Sequence, residues 1–134
     1  MNVVSFIKEY GIEKSKEVIN GAPDETVTHF DLTIEGLFYF KFEKFDWFCF
    51  YDKHFVKVYM EDYESYHLTN LKEIKRLVES VDLVNLKGGV KKLKKEVDCL
   101  FHNDIDGVAL LYEQAISDYE LIYSDKNTTY GELI

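Results

Sequence analysis

Two cysteines and two histidines are of the residue types that bind metal ions in proteins. Cys49 and His54 are five positions apart, and Cys99 and His102 are three positions apart. Four ligands of these types would suit tetrahedral zinc. Neither spacing is that of a common zinc motif, however, and both cysteines lie in apolar runs. The pattern favours buried free thiols in a reducing compartment and surface imidazoles, with no metal or other cofactor, although a pairing of the two thiols stays open.

The polar residues at 102–107 look at first like a calcium-binding loop. An EF-hand loop ends in a bidentate Glu at its twelfth position. Counted from Asp104, that position holds Ala115, so a solvated loop with Asp106 capping the next helix explains the residues better. The sequence also lacks the nucleophile elbow, the zinc-protease helix, the phosphate loop and the dinucleotide fingerprint. We therefore expect a protein that is not an enzyme.

Acidic residues concentrate at the C-terminal end of a chain whose net charge is −9. Residues 98–134 contain eight acids and one base, which argues against sequence-independent DNA binding there and permits a basic partner. One helix carries or adjoins Glu113, Asp118, Glu120 and Asp125, and their carboxylates could mimic a row of phosphates. The alternative is an ordinary solvated acidic surface.

A lysine-rich segment precedes this acidic end. It consists of Lys87, Lys91, Lys92, Lys94 and Lys95. Spacing of three and four residues could follow nucleic-acid phosphates, but no arginine or stacking aromatic lies between them. We interpret the segment as the solvated face of a helix, and it could equally lie beside the acidic last helix. No direct nucleic-acid binding is expected.

Alternating aromatic residues at 37–60 predict the sheet around which the rest of the chain must fold. Four strands with short connections, one of them a turn at Lys44–Asp46, predict an antiparallel meander over residues 26–60. We assign Phe38, Phe40, Phe42, Phe48 and Phe50 to its core face. The opposite face would carry Tyr39, Trp47, Tyr51 and Tyr59, and next to it an acidic loop would carry Glu61, Asp62 and Glu64. These exposed residues, with Glu113, Asp118 and Glu120, are the predicted protein-binding residues.

Helical periodicity flanks the sheet on both sides in sequence. Residues 2–21 predict a helical hairpin with a break at Gly11, and residues 124–134 predict a flexible tail. Residues 70–123 predict further helices, with a first stop near Ser80, a break at Gly88-Gly89 and a last helix over Val108–Tyr123. The apolar stripe of the first of these helices consists of Leu71, Ile74, Leu77, Val78 and Val81. In the last helix, Val108, Leu111, Ala115, Tyr119 and Ile122 form the expected buried stripe. The predicted fold is a single α+β domain, in which a four-stranded antiparallel sheet is packed on one face by N-terminal and C-terminal helices.

The sequence resembles a group of small tailed-phage proteins along most of residues 5–122. The text that carries the resemblance is FIKEYGIEKSKEVINGAPDETVTHF from Phe6, with Gly11, the Gly21-Ala22-Pro23 turn, Leu77-Val78-Glu79-Ser80 and Gly88-Gly89 as anchors. The resemblance implies a phage accessory protein in the host cytoplasm. By analogy, its partner would be a bacterial host protein or complex that it inhibits, such as a CRISPR-Cas or restriction system, including one that binds nucleic acid.

Two alternatives from other classes stay open. The aromatic face could be the interface of a homodimer, or it could form the floor of a small ligand-binding or enzymatic domain. We see no signal peptide and no apolar run near the roughly 20 residues of a membrane span, so we expect no membrane partner.

Overall fold

The computed structural model describes residues 2–100 and 107–123. Within them the chain is α+β, with five helices and one antiparallel sheet. The elements are α1 (Val3–Asn20), β1 (His29–Thr33), β2 (Gly36–Glu43), β3 (Asp46–Tyr51), β4 (His54–Val58), α2 (Asp62–Ser65), β5 (Thr69–Asn70), α3 (Leu71–Leu86), α4 (Val90–Leu100) and α5 (Val108–Tyr123). Contacts divide the chain into two compact units, Met1–Lys75 and Arg76–Ile134, and the division falls inside α3.

The sheet of the first unit has five strands in the order β4-β3-β2-β1-β5. The prediction of four strands is therefore wrong by one edge strand. This strand is only two residues long, and it pairs antiparallel with His29 and Phe30 of β1. A pair of residues gives no alternation to detect, and these two come directly before a helix. The predicted meander of β1 to β4 is confirmed.

Two-residue turns connect the later strands and set their register. Lys44 and Phe45 join β2 to β3, and Asp52 and Lys53 join β3 to β4; all four residues have positive φ. Turns with positive φ at both central positions match the twist of the strands they connect. We had assigned Lys44–Asp46 to the first turn, but Asp46 pairs with Glu43 and so belongs to β3.

This one-residue difference corrects the predicted faces of the sheet. Trp47 pairs with Phe42 and with Val58, and Cys49 pairs with Phe40 and with Val56. Directly opposed residues of antiparallel strands share a face. One face, which we call the open face, therefore contains His29, Phe38, Phe40, Phe42, Trp47, Cys49, Tyr51, Val56 and Val58. The other, the helix face, contains Phe30, Tyr39, Lys41, Phe48, Phe50 and Phe55.

Helix α1 covers the helix face over β1 and β2. The Phe6 ring contacts the buried Phe30 ring edge-on at 5.0 Å between centroids. The Tyr39 hydroxyl donates a hydrogen bond of 2.6 Å to the Val18 carbonyl, in the last turn of α1. Carbonyls in a last turn lack partners inside their helix, so this hydroxyl satisfies a buried acceptor. The predicted break at Gly11 is present as a non-helical residue with φ 88°.

Beyond α1 the helix face continues as a cluster of phenylalanines on β3 and β4. Phe50 and Phe55 lie edge-to-face with centroids 5.2 Å apart. The Lys41 ammonium lies 4.4 Å from the Phe55 centroid and 5.4 Å from that of Phe48, and 3.8 Å from the Glu43 carboxylate. The lysine thus covers apolar rings with its stem and places its charge over their π-faces.

The second unit is a helical core made by the later part of α3 together with α4 and α5. Val84, Leu93, Val97, Ala115 and Ile116 are buried together in it. Helix α3 runs unbroken to Leu86, whereas we had predicted a stop near Ser80. In α5 the predicted stripe needs correction, because Leu111 is largely exposed while Ile116 and Asp118 are buried. The predicted loop at 102–106 and the tail at 124–134 lie outside the described residues.

A candidate protein-binding surface

The open face of the sheet presents aromatic and aliphatic side chains that are only partly covered. Phe38, Phe42 and Val56 remain 38%, 44% and 42% exposed. Trp47 lies between two rings, with its centroid 4.8 Å from that of Phe42 and 4.9 Å from that of His29. The described part of the chain therefore leaves aromatic and aliphatic side chains of this face partly exposed to solvent.

Phe45 extends this aromatic character to the β2–β3 turn. Its side chain is 92% exposed and its φ is 68°, in the left-handed region. A left-handed conformation costs a residue with a Cβ about 1 to 2 kcal/mol, and Asn or Gly would fit the turn better. An exposed phenylalanine in this conformation is therefore a candidate contact residue.

An acidic segment, residues 61–64, follows β4. The Tyr59 hydroxyl donates a hydrogen bond of 2.6 Å to the Glu61 carboxylate, and the Glu61 amide donates one of 2.9 Å to the Glu64 carboxylate. The bond to Glu61 raises the pKa of the exposed Tyr59 hydroxyl. We had predicted a loop here, but the capping box of Glu61 and Glu64 begins the short helix α2. The carboxylates are therefore ordered while staying exposed.

A cleft of about 390 Å³ lies where the open face meets this part of the chain. Its walls include His29, Trp47, Tyr66, Asn70 and Glu73. Burial lowers the pKa of His29, and the nearby Glu73 carboxylate partly opposes that shift. The His29 Nδ1 atom lies 2.7 Å from the Thr28 hydroxyl oxygen, which fixes the ring beside the indole. The sequence pattern did not single out His29, Tyr66 or Glu73, because they come from three separate elements.

The structure separates the predicted aromatic contact residues. Tyr39 is buried on the helix face, so its predicted exposure is wrong: α1 packs over it, and its hydroxyl bonds the Val18 carbonyl. Trp47 is half-buried on the open face. Tyr51 ends β3 and is exposed, as is Tyr59, which is 84% exposed. Glu61, Asp62 and Glu64 are exposed next to Tyr59, as predicted.

The predicted acidic residues of α5 also separate. Asp118 is 1% exposed and accepts hydrogen bonds from Ser80 at 2.7 Å, Gln114 at 2.9 Å and Arg76 at 3.3 Å. Its predicted place on the surface is wrong, since α5 turns this carboxylate into the second unit. Glu113 and Glu120 are exposed.

The lysine-rich segment lies partly beside α5, one of the two arrangements that we had expected. The Lys94 ammonium lies 3.1 Å from the Glu120 carboxylate. Lys87 pairs with Glu96 of α4 at 3.4 Å and lies over the Tyr112 ring. These contacts offset charge on both helices.

Both cysteines are free thiols. Cys49 is half-buried, but Cys99 is exposed, which corrects its predicted burial. Among residues 2–100 and 107–123, no group of three or more His, Cys, Asp or Glu side chains could hold a metal ion. His102, the fourth residue of the zinc pattern, lies outside the described residues.

No helix in the described part of the chain is long and apolar enough to cross a membrane.

No protein-family model, curated protein or solved structure shows significant similarity to the chain. The resemblance to phage proteins therefore stays a prediction. The surface of the first unit carries the features that bear on function. These are partly exposed rings, an exposed phenylalanine with positive φ and an ordered acidic segment.

Proposed function

We propose that this chain is a phage-encoded accessory protein that binds and inhibits a bacterial host protein through the open face. The observation that carries the proposal is Phe45, a phenylalanine almost fully exposed at a turn position that disfavours it. Next to it in the hairpin, Phe42 and Trp47 supply further rings of the open face. Buried aromatic anchors commonly contribute most of the energy of a protein interface.

Charge supports a partner with basic residues at the rim of the contact. The acidic segment adds carboxylates beside the aromatic surface, and these accept hydrogen bonds from the Tyr59 hydroxyl and from the segment's own backbone. Opposite charges at an interface rim raise the association rate and orient the partner.

Nucleic-acid mimicry by α5 receives less support than surface complementarity. Asp118 is buried and Glu120 is paired with Lys94, so among the described residues of the predicted row Glu113 alone is exposed and outside these contacts. Asp125 lies outside the described residues. A row of phosphates presents regularly spaced and accessible charge. We therefore place the proposed contact on the open face, and keep a defence or nucleic-acid-handling complex as the proposed target class.

The test is an affinity capture from bacterial host lysate with three forms of the chain: wild type, Phe45→Asn and Ile34→Asn. Ile34 is the matched control, since it is a fully exposed apolar residue in the β1–β2 turn. We expect one host protein to be captured by wild type and by Ile34→Asn but not by Phe45→Asn, and its activity to fall when wild type is added.

Equal capture by all three forms would reject the open face as the contact. The homodimer alternative makes a different prediction, which sedimentation tests: a wild-type dimer that Phe45→Asn converts to a monomer. The enzymatic alternative would require turnover in the absence of any partner protein.

A further inference from the structure

We propose that the cleft beside Trp47 receives an arginine side chain of the partner, with its guanidinium stacked on the indole and paired with the Glu73 carboxylate. This inference rests on the proposed function, because it assigns the chemistry by which the same surface recognises its partner. The cleft adjoins the open face through His29 and Trp47, which belong to both.

The ends of two helices at the cleft do not favour an anion. The Asn2 side chain accepts hydrogen bonds from the amides of Val4 at 2.8 Å and Ser5 at 3.2 Å, at the start of α1. The Asn70 side chain accepts one from the Glu73 amide at 3.0 Å, at the start of α3. Amides at a helix N-terminus bind anions when they lack partners, and these amides already have them.

The charged groups of the cleft favour a cation instead. Glu73 is an exposed carboxylate in its wall, and no Lys or Arg is among the described residues that line it. The N-terminal ammonium also acts on His29, but more weakly than the Glu73 carboxylate does. Ser65 and Tyr66, which also line the cleft, come directly after the acidic segment. His29 stays neutral at neutral pH, since burial lowers its pKa, and therefore does not repel a cation.

The combination of an indole, a phenol and a carboxylate suits arginine better than lysine. A guanidinium is planar, stacks on aromatic faces and donates two parallel hydrogen bonds to one carboxylate. An ammonium offers a point charge with a tightly held hydration shell. The cleft volume of about 390 Å³ is within the range of small-ligand sites.

Trp47 makes the inference testable in solution, since the chain contains a single tryptophan. We would titrate the untagged chain with Nα-acetyl-arginine amide and follow Trp47 fluorescence and the indole N–H resonance. The matched probe is Nα-acetyl-citrulline amide, which has nearly the same shape without the charge. The matched variants are Glu73→Gln in the cleft and Glu35→Gln in the β1–β2 turn, with circular dichroism to show that both fold.

We expect a saturable response to the arginine probe in wild type and in Glu35→Gln. The affinity should be at least about tenfold lower with citrulline or in Glu73→Gln, because a charged hydrogen bond is lost. An equal response to citrulline, an unchanged response in Glu73→Gln, or no response in wild type would each overturn the inference.

The host partner separates this inference from the proposed function. A partner whose capture is lost in Phe45→Asn but unchanged in Glu73→Gln leaves the proposed function standing and rejects the arginine site. Arginine binding without any captured partner would support the arginine site and reject the proposed function.

Discussion

The two faces of the sheet carry the same residue types in different environments. On the helix face, Phe30 and Tyr39 are buried beneath α1. On the open face, Phe38 and Phe42 are 38% and 44% exposed. Aromatic content is similar on both sides, so the position of α1 separates core from surface. An aromatic residue of this sheet is a candidate contact residue only where no helix covers it.

Helix α5 shows the same contrast with carboxylates. Asp118 is enclosed by donors from α3 and from α5 itself, whereas Glu113, five positions earlier, is exposed. Burial gives the first carboxylate a role in folding and leaves the second available for other contacts.

Asp118→Ala should lower the free energy of unfolding by about 3 kcal/mol, because it leaves Arg76 without its acceptor and Ser80 with an unpaired buried hydroxyl. Urea denaturation followed by circular dichroism measures the change. Glu113→Ala is the control on the same helix and should change the value by less than about 0.5 kcal/mol. Equal effects of the two substitutions would contradict the buried role of Asp118.

Tyr39→Phe should lower the free energy of unfolding by about 1.5 kcal/mol, since it removes the hydroxyl that donates to the buried Val18 carbonyl. Tyr59→Phe removes a hydroxyl that bonds an exposed carboxylate, and should cost less than about 0.5 kcal/mol. The same denaturation measurement compares the pair. A larger loss from Tyr59→Phe would contradict the buried role of the Tyr39 hydroxyl.

Phe45→Asn should raise the free energy of unfolding by about 1 kcal/mol, because Asn adopts the left-handed conformation at lower cost than Phe. Thermal denaturation shows this as a higher midpoint, while Ile34→Asn, at a turn residue without positive φ, should leave it unchanged. A stabilised variant that no longer captures the partner would show that Phe45 serves binding at the expense of stability. A destabilised variant would instead give the ring a structural role.

His29 should make folding weaker at acid pH. Burial lowers its folded-state pKa below the value of about 6.5 in the unfolded chain, so the unfolded state takes up the proton first. Stability is then lost as pH falls through the unfolded value toward the folded one. Urea titrations at about pH 7.5 and about pH 5 should show a smaller loss in His29→Gln than in wild type. The exposed His54→Gln should match wild type, and an identical loss in all three would assign the acid sensitivity to other groups.

Local signals predicted most of the elements. Helix α5 begins and ends at the predicted residues, and Gly88 and Gly89 separate α3 from α4 with positive φ, as expected of a helix end. The stripe of Leu71, Ile74, Leu77, Val78 and Val81 in α3 is buried as predicted. Each of these features depends on residues within a few positions of one another. The candidate surface was predicted only in part, because Trp47, Tyr59 and the acidic segment were found while Phe45, His29 and Glu73 were not.

The sequence alone therefore determined where most strands, helices and turns occur, because backbone propensity and side-chain period are local properties. It missed β5 and α2, which are only two and four residues long. Only the tertiary structure decided which side of the sheet each aromatic residue occupies. The side depends on whether the β2–β3 turn has two residues or three, and the pairing of Glu43 with Asp46 gives two. Since side chains alternate with a period of two, that one residue puts Tyr39 and Trp47 on opposite faces of the sheet. The packing of α1 on β1 and β2 then buries the face of Tyr39.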